Sequence, residues 1–344
     1  MMKALLMREY KSMEVAELPV PDYGADDLLV RVKACGICGS DVHGFDGSTG
    51  RRLPPIVMGH EAAGVVEAVG AAVTGFSPGD RVTFDSTVSC GACHFCRRGE
   101  INLCDNRQVL GVSTPDFRRH GAFAEYVTVP ARIAYKLPEN VPFEHAAMIE
   151  AISVAVHGVG LLPLKLGDSA VVVGSGMIGL LVIQVLRLSG AGLIVAVDLE
   201  DNKLELARQL GADVTLNPSR DNVAERVIAM TAGRGADCAV DAVGATAPIK
   251  MCVASVRKGG SISLIGNITP NIELPLQPVV TRQLTLYGSC ASNGEIPQCI
   301  DLLARGAIKV DPIISARAPL AEGPEWFRRL YGKEPGLMKV IIQP

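Results

Sequence analysis

Four cysteines, Cys90, Cys93, Cys96 and Cys104, fall within fifteen residues in the spacing C-x2-C-x2-C-x7-C, near Gly91, Gly99 and Pro115. Thiolates that close together can complete a tetrahedron around one zinc ion, which is the chemistry of a structural zinc site. The formal charge of such a site is −2, and Arg97, Arg98 and Arg107 stand near in sequence to offset it. Two disulfides are the competing reading, disfavoured if the compartment is reducing. A second set of ligand types is scattered. Cys38 lies in Cys35-Gly36-Ile37-Cys38-Gly39-Ser40-Asp41-Val42-His43, and His60-Glu61 follow Gly59. Spacing alone leaves open whether Cys38 and His60 meet in space.

A third motif points to a dinucleotide. Gly174-Ser175-Gly176-Met177-Ile178-Gly179 has the pattern G-x-G-x-x-G, placed directly after the apolar run Ala170-Val171-Val172-Val173 and before an apolar-periodic segment. Gly174 suits the tight turn, Gly176 a close approach of backbone to pyrophosphate, and Gly179 close packing of helix on strand. The helix amino terminus then offers free N–H groups to the phosphates. The next apolar run ends at Asp198, nineteen residues beyond Gly179. A carboxylate there accepts from the adenosine ribose hydroxyls and repels a 2′-phosphate, and residue 199 is Leu rather than Arg, so NAD is expected over NADP. Lys203 is expected to add a ribose contact.

These residues need elements to hold them. The first 150 residues carry short strand-like runs, Leu28 to Val32, Gly64 to Val69 and Arg81 to Phe84, separated by turn signals such as Ser77-Pro78-Gly79-Asp80. That rhythm predicts a mostly β, barrel-like domain. From about residue 152 strands alternate with helix-length segments: Ala170 to Val173, Leu193 to Val197, Val214 to Leu216, Asp237 to Asp241, Ser261 to Ile265 and Leu284 to Tyr287. Six strands with crossover helices predict an α/β doubly wound parallel sheet. Asp201-Asn202 is expected to open a helix over Lys203 to Leu210 that Gly211 closes. The tail beyond about residue 290 loses the alternation, ends in the strand-like Met338 to Ile342, and is expected to return to the first domain.

Composition narrows the function. The chain has 344 residues, 48% hydrophobic, with 36 glycines and a formal net charge of −3. Its basic residues come only as pairs, including Arg51-Arg52, Arg118-Arg119 and Arg328-Arg329, so nothing asks for nucleic acid. The amino terminus lacks the apolar stretch of about 7 to 15 residues of a secretory signal, and no apolar run reaches the roughly 20 residues of a membrane helix. A cytoplasmic protein is expected, without a membrane partner, and its ten cysteines then read as thiols or metal ligands.

Together these motifs carry a resemblance. The string Gly59-His60-Glu61-x2-Gly64-x5-Gly70-x2-Val73 is similar to the signature of the zinc-dependent medium-chain alcohol dehydrogenases, and the four-cysteine lobe and Gly174 to Gly179 follow in that family's order. The resemblance covers essentially the whole chain. It looks closest to the sorbitol (polyol) dehydrogenase branch, because Met148-Ile149-Glu150-Ala151 has Glu where other alcohol dehydrogenases have their third zinc Cys. The resemblance implies a GroES-like catalytic domain over residues 1–151 and 291–344 and a Rossmann domain over 152–290. It implies a catalytic zinc on Cys38 and His60, with Glu61 or Glu150 completing the ligand set, and Asp41 bonded to the His60 ring. Ser40 and His43 match the proton relay. Met177, Ile178, Val243 and Ile265 match positions that touch the cofactor.

The implied activity is NAD-linked oxidation of a secondary alcohol, a polyol or sugar derivative, by a homo-oligomer, dimer or tetramer. A threonine 3-dehydrogenase-like or sugar-alcohol-phosphate dehydrogenase is the alternative. A zinc-free NADPH-dependent quinone reductase and a non-catalytic dinucleotide-binding protein are the rival classes; Cys38, His60 and Asp198 weigh against the former. Sorbitol dehydrogenases have an Arg-Tyr pair where this chain has Gly288 to Asn293, and a Tyr-Trp pair where it has Gly44-Phe45. Smaller residues there are expected to admit a bulkier or cyclic substrate, with Phe45, Phe117 and Arg118 as lining.

Overall fold

The computed structural model describes residues 1–112 and 119–344, so Pro115, Phe117 and Arg118 lie outside the described residues. The chain divides into two compact units, Met1–Glu150 with Ile296–Gly306 and Val310–Pro344, and Ala151–Glu295 with Ala307–Lys309.

The first unit is built on a sheet in the order Ala134–Lys136, Arg81–Phe84, Glu61–Val69, Asp27–Gly36, Lys339–Gln343, Ile314–Pro319, with Tyr126–Pro130 also paired to Asp27–Gly36. Leu5, Met7, Leu28, Met58, Phe84, Phe123 and Phe327 are all but fully buried in its core. The tail does return here: Ile342 pairs with Cys35 and Ile341 with Gly36. On the other side Gly36 pairs with Glu61. Gly36 therefore lies between two strands that each carry a charged side chain toward it. A Cβ on Gly36 would stand 2.4 Å from Glu61 Oε2 and 3.3 Å from Lys339 Nζ. Neighbouring strands are about 4.8 Å apart. Only a residue without a side chain lets those two groups reach across the middle strand to each other.

The second unit is a six-stranded parallel sheet ordered Val214–Leu216, Leu193–Val197, Ser169–Val173, Ala236–Asp241, Val256–Leu264, Thr285–Gly288. In chain order that is 3-2-1-4-5-6, the doubly wound dinucleotide-binding order. Residues 170–173 are all buried, as strands covered on both faces require. The helices Met177–Leu188, Asp201–Gln209, Val223–Met230 and Thr246–Ser255 supply the crossovers.

Two local expectations shift. The helix over 203–210 begins at Asp201, with Glu200 as N-cap and no side-chain cap bond. Asp201 is drawn into the helix because its carboxylate is engaged elsewhere, by Arg220 at 2.7 Å and Asn217 at 3.1 Å. Phe45 does not line a substrate cleft. It is 3% exposed and packs in the core against Phe327 and Tyr331, with ring centroids 5.9 and 5.7 Å away. Burying that ring removes far more apolar area from water than a cleft position would. Among the described residues no helix is long and apolar enough to cross a membrane.

Candidate active site and metal centre

Cys38 caps the short helix Gly39–Gly44, its Sγ accepting from Ser40 N at 3.4 Å while Asp41 Oδ2 accepts from Cys38 N at 3.3 Å. These reciprocal bonds fix the thiol at the helix start. His60 precedes the strand Glu61–Val69, so it and Glu61 arrive from another part of the sheet. The two segments meet: ligand atoms of Cys38, His60 and Glu61 all lie within 4.8 Å of one another. Ser40 Oγ stands 3.3 Å from Cys38 Sγ and 3.4 Å from His60 Nε2. The other ring nitrogen, His60 Nδ1, lies 3.3 Å from Asp41 Oδ1, at ion-pair range though outside hydrogen-bond geometry. Nε2 is thus the nitrogen on the side of Cys38 and Ser40.

The donor set fits zinc, which takes thiolate, imidazole and carboxylate together. One atom makes the case sharper. Glu61 is fully buried, yet its Oε1 has no hydrogen-bond partner, while Oε2 is held by Lys339. A buried carboxylate oxygen left bare costs free energy unless something binds it, and a cation does so. Glu150, in the first turn of the helix Ile149–Gly160, falls outside that trio but shares its electrostatics. Burial pushes its carboxyl up to about 7 in the metal-free chain, with His60 and Lys339 opposing and Glu61 and Asp85 adding to the rise. Burial also works to raise Asp41, but the His60 ring and the Arg52 guanidinium outweigh it and hold that carboxyl well below its usual range. His43 is exposed at the end of the helix that Cys38 caps.

The second cysteine set also converges. The four thiols are free, with Cys90 Sγ 4.0 Å from Cys96 Sγ and Cys93 Sγ 3.9 Å from Cys104 Sγ. Zinc–sulfur bonds of about 2.3 Å in a tetrahedron put sulfurs about 3.8 Å apart, whereas a disulfide needs about 2.05 Å. Backbone N–H groups of Cys90 and Cys96 point at Cys104 Sγ and Cys93 Sγ, at 3.3 and 3.5 Å, the polarity that thiolates favour. Of the arginines expected to offset the charge, Arg98 pairs with Glu100 at 3.0 Å and Arg107 donates to Asn102 O at 3.2 Å.

In the second unit Gly174 takes φ +96°, and a Cβ there would lie 2.5 Å from Val243 Cγ2. A Cβ on Gly179 would lie 1.8 Å from Gly174 O, so helix and strand touch only because it is absent. Around Gly176, the N-cap of Met177–Leu188, nothing lies within 4 Å of such an atom, which leaves room for a phosphate at unsatisfied helix N–H groups. Asp198 accepts from Ser175 N at 2.8 Å and Glu200 N at 3.0 Å, which aims it beside the glycine turn. Lys203 is turned toward Glu200, at 2.6 Å. Met177 and Ile178 are half-buried in the first turn of the helix. Ile265 follows the strand Val256–Leu264 and packs toward Gly158, where a Cβ would meet its Cδ1 at 2.3 Å.

Two residues escaped the sequence reading. Lys339 is wholly buried and donates to Ile37 O at 3.1 Å as well as to Glu61. Arg52, 3% exposed, donates to Asp41 Oδ1 at 2.9 Å. A lysine inside the apolar run Met338 to Ile342 was the available signal for the first; Arg52 looked like half of a surface pair.

Known proteins resemble this chain along its length. The alcohol dehydrogenase GroES-like domain family matches residues 24–139, and the zinc-binding dehydrogenase family matches residues 178–305. Sorbitol dehydrogenase of Bacillus subtilis (strain 168) is 32% identical over 348 residues, covering 100% of this chain and 97% of that protein. The structure of alcohol dehydrogenase TADH from Thermus sp. ATN1 superposes with a TM-score of 0.93 at 35% identity, covering 99% of each chain. A zinc-binding dehydrogenase of Sinorhizobium meliloti 1021, solved with NADP bound, gives 0.91 at 35% identity over 100% of this chain and 99% of the other. With the six strands in dinucleotide-binding order, two converged sets of zinc-ligand side chains and end-to-end similarity to such enzymes, the chain belongs to the zinc-dependent medium-chain alcohol dehydrogenases, a family of NAD(P)-linked oxidoreductases.

Proposed function

We propose that this enzyme oxidises a secondary alcohol, a polyol or sugar derivative, to the ketone with NAD as acceptor. Cys38, His60 and Glu61 hold the catalytic zinc, and Cys90, Cys93, Cys96 and Cys104 hold a structural one. The observation that carries the reading is the Ser40 hydroxyl, 3.3 and 3.4 Å from the ligand atoms of Cys38 and His60. A hydroxyl there reaches an oxygen bound beside those ligands.

Zinc supplies Lewis-acid polarisation that lets an alcohol lose its proton near neutral pH, and NAD accepts the hydride. The alcohol gives up one hydride and one proton, so the products are a ketone, NADH and a proton. Ser40 Oγ accepts that proton while releasing its own hydrogen to the nicotinamide ribose hydroxyl. His43, exposed near the end of the same short helix, takes one on from there and gives it to solvent, a task suited to an imidazole, which both accepts and donates. Asp41 holds the His60 ring from behind through Nδ1. Glu61 is favoured as the third ligand by its bare Oε1, with Glu150 the neighbouring carboxyl.

Gly174, Gly176, Gly179 and the first turn of Met177–Leu188 bind the pyrophosphate, and Met177, Ile178, Val243 and Ile265 pack against the cofactor. Asp198, with Glu200 beside it and the exposed Leu199 in place of a cation, supports NAD over NADP. Lys203 reaches the ribose only by leaving Glu200. Similarity to a sorbitol dehydrogenase supports a polyol. Exposed Leu276 and Val280, near the edge strand Thr285–Gly288, support a homo-oligomer, dimer or tetramer, and cysteines that serve as zinc thiolates or buried thiols support a reducing cytoplasm.

The test is NADH formation by zinc-loaded protein across linear and cyclic polyols, polyol phosphates, threonine and simple alcohols, with NADP as control. Turnover of polyols with NAD is the expected result. Turnover of threonine alone, or with NADP alone, overturns the respective half of the reading.

A further inference from the structure

Arg52 sits in the segment between the helix Gly39–Gly44 and the strand Ile56–Val57, and it is 3% exposed. A guanidinium is seldom buried without a reason. The fold has made a slot for it. A Cβ on Gly44 would stand 2.4 Å from Arg52 Cγ, 3.3 Å from its Cβ and 3.5 Å from its Cδ, so the stem lies where the helix has no side chain.

What the slot presents is a single nitrogen. Nη2 donates to Asp41 Oδ1 at 2.9 Å and to Ser40 Oγ at 3.1 Å, while Nε is buried with no partner. An arginine serving only to neutralise a carboxylate does best as a two-pronged fork using two nitrogens. Here Nε goes bare, and the nitrogen that meets the carboxylate also reaches the hydroxyl.

We propose that Arg52 is a positioning residue that sets the direction of the Ser40 hydroxyl, an inference that rests on the reading of Ser40 as the proton carrier. A hydroxyl has one hydrogen and two lone pairs, and a guanidinium has donors only. The contact with Arg52 therefore consumes one lone pair of Oγ. One lone pair and the hydrogen remain; the hydrogen here points to Cys38 Sγ at 3.3 Å, and once it turns to another acceptor the hydroxyl has the set needed to accept a proton on one side while giving one up on the other. Asp41 Oδ1 accepts from the same Nη2 and lies 3.3 Å from His60 Nδ1. The guanidinium thus references the hydroxyl and the imidazole to one point, and the distance between Ser40 Oγ and His60 Nε2 is held from behind both.

Two variants reach this arrangement differently. Arg52→Lys keeps a charge for Asp41 but loses the planar group that spans both acceptors, and Gly44→Ala keeps Arg52 but crowds its stem. Each is expected to lower kcat by about 10- to 100-fold, the usual effect of disturbing a group behind a metal ligand, with two zinc ions per chain retained and KM for the alcohol little changed. Introduced into Ser40→Ala protein, neither should slow turnover further, because the group they act through is already gone. The solvent deuterium isotope effect on kcat should rise in Arg52→Lys and stay flat in Arg52→Lys/Ser40→Ala. Equal slowing in both backgrounds overturns the inference, as does a loss of activity that merely tracks lost zinc in both variants. If Ser40→Ala itself turns over normally, the relay reading falls first and this inference with it.

Discussion

Replacing Lys339 by Met tests the buried charge behind the proposed zinc ligand Glu61. The side chain is fully buried, and its ammonium serves Glu61 and Ile37 O, the latter at 3.1 Å. Met has similar length and no charge, so little cavity is left. What remains is a Glu61 carboxylate buried without its cation. Breaking a buried pair from one side costs about 3–5 kcal/mol, because the surviving charge stays desolvated. For a unit of this size, each kcal/mol lowers Tm by about 2–4 °C, so a drop of about 6–20 °C is expected. That figure applies to protein stripped of its catalytic zinc. In zinc-loaded protein an ion held by Glu61, as proposed, would supply positive charge there, and the loss should shrink by half or more. Lys339→Met/Glu61→Gln should recover most of the metal-free stability. Scanning calorimetry of both variants with and without metal reads all three. A single variant as stable as the parent in the metal-free state, or equally destabilised with and without zinc, would show that Lys339 does not carry the charge of Glu61. The sign with pH is also fixed. Burial lowers the Lys339 pKa but Glu61 and its neighbours raise it further, so the contribution from the lysine's charge is fully present just below an unfolded-state pKa of about 10.4 and is lost as pH rises through the higher folded value.

Four further outcomes follow from the geometry. Cys93→Ser should leave one zinc per chain by elemental analysis, since only three of the four converged thiolates remain; two retained ions would mean that Cys93 is not needed to hold the second one. Asp198→Ala should weaken NAD by about tenfold and narrow the gap to NADP, and an unchanged ratio of kcat/KM values would remove Asp198 from cofactor choice. Gly179→Ala asks for a methyl where Gly174 O already lies 1.8 Å away, so NADH binding, followed by nicotinamide fluorescence, should be lost or the protein should not accumulate. Zinc should be held less tightly as pH falls below about 7, because Glu150 is raised to about 7 in the metal-free chain and a cation must displace its proton; retention at pH 5.5 equal to that at pH 8 in equilibrium dialysis, both values being roughly one unit or more from that titration, would count against it.

How much of this could be read beforehand depends on the range of the interaction. The glycine turn, the four-cysteine lobe and the alternation of strands are local patterns, set by backbone conformation and ligand spacing over a few residues, and all six expected strands form in one parallel sheet. Convergence of Cys38 with His60 is not local. It depends on the register that sets Cys35 opposite Ala62 and Gly36 opposite Glu61, which no spacing along the chain encodes. The direction of Phe45 was misjudged for a related reason: a helix of six residues gives too short a period to tell its buried side from its open one, and Phe327, its partner, lies far along the chain.

The two missed cations show the limit in electrostatic terms. A sequence lists charges without their partners, and a lone arginine or lysine defaults to the surface because burial of an unpaired charge is prohibitive. Each of these is buried because a particular carboxylate waits for it, Asp41 for Arg52 and Glu61 for Lys339, and because a glycine has cleared the path, Gly44 for one and Gly36 for the other. Both glycines are visible in the sequence, but nothing local to either marks it as the channel for a distant cation. Asp41, behind His60, and Glu61, a proposed zinc ligand, thus each have their own counter-ion within the protein, so the proposed ligand set does not depend on the metal to keep its negative charges from driving it apart. A site balanced this way should stay assembled when metal-free. If stripping the catalytic zinc from the parent protein lowered Tm as far as Lys339→Met does, the metal rather than the paired cations would be holding the ligands together.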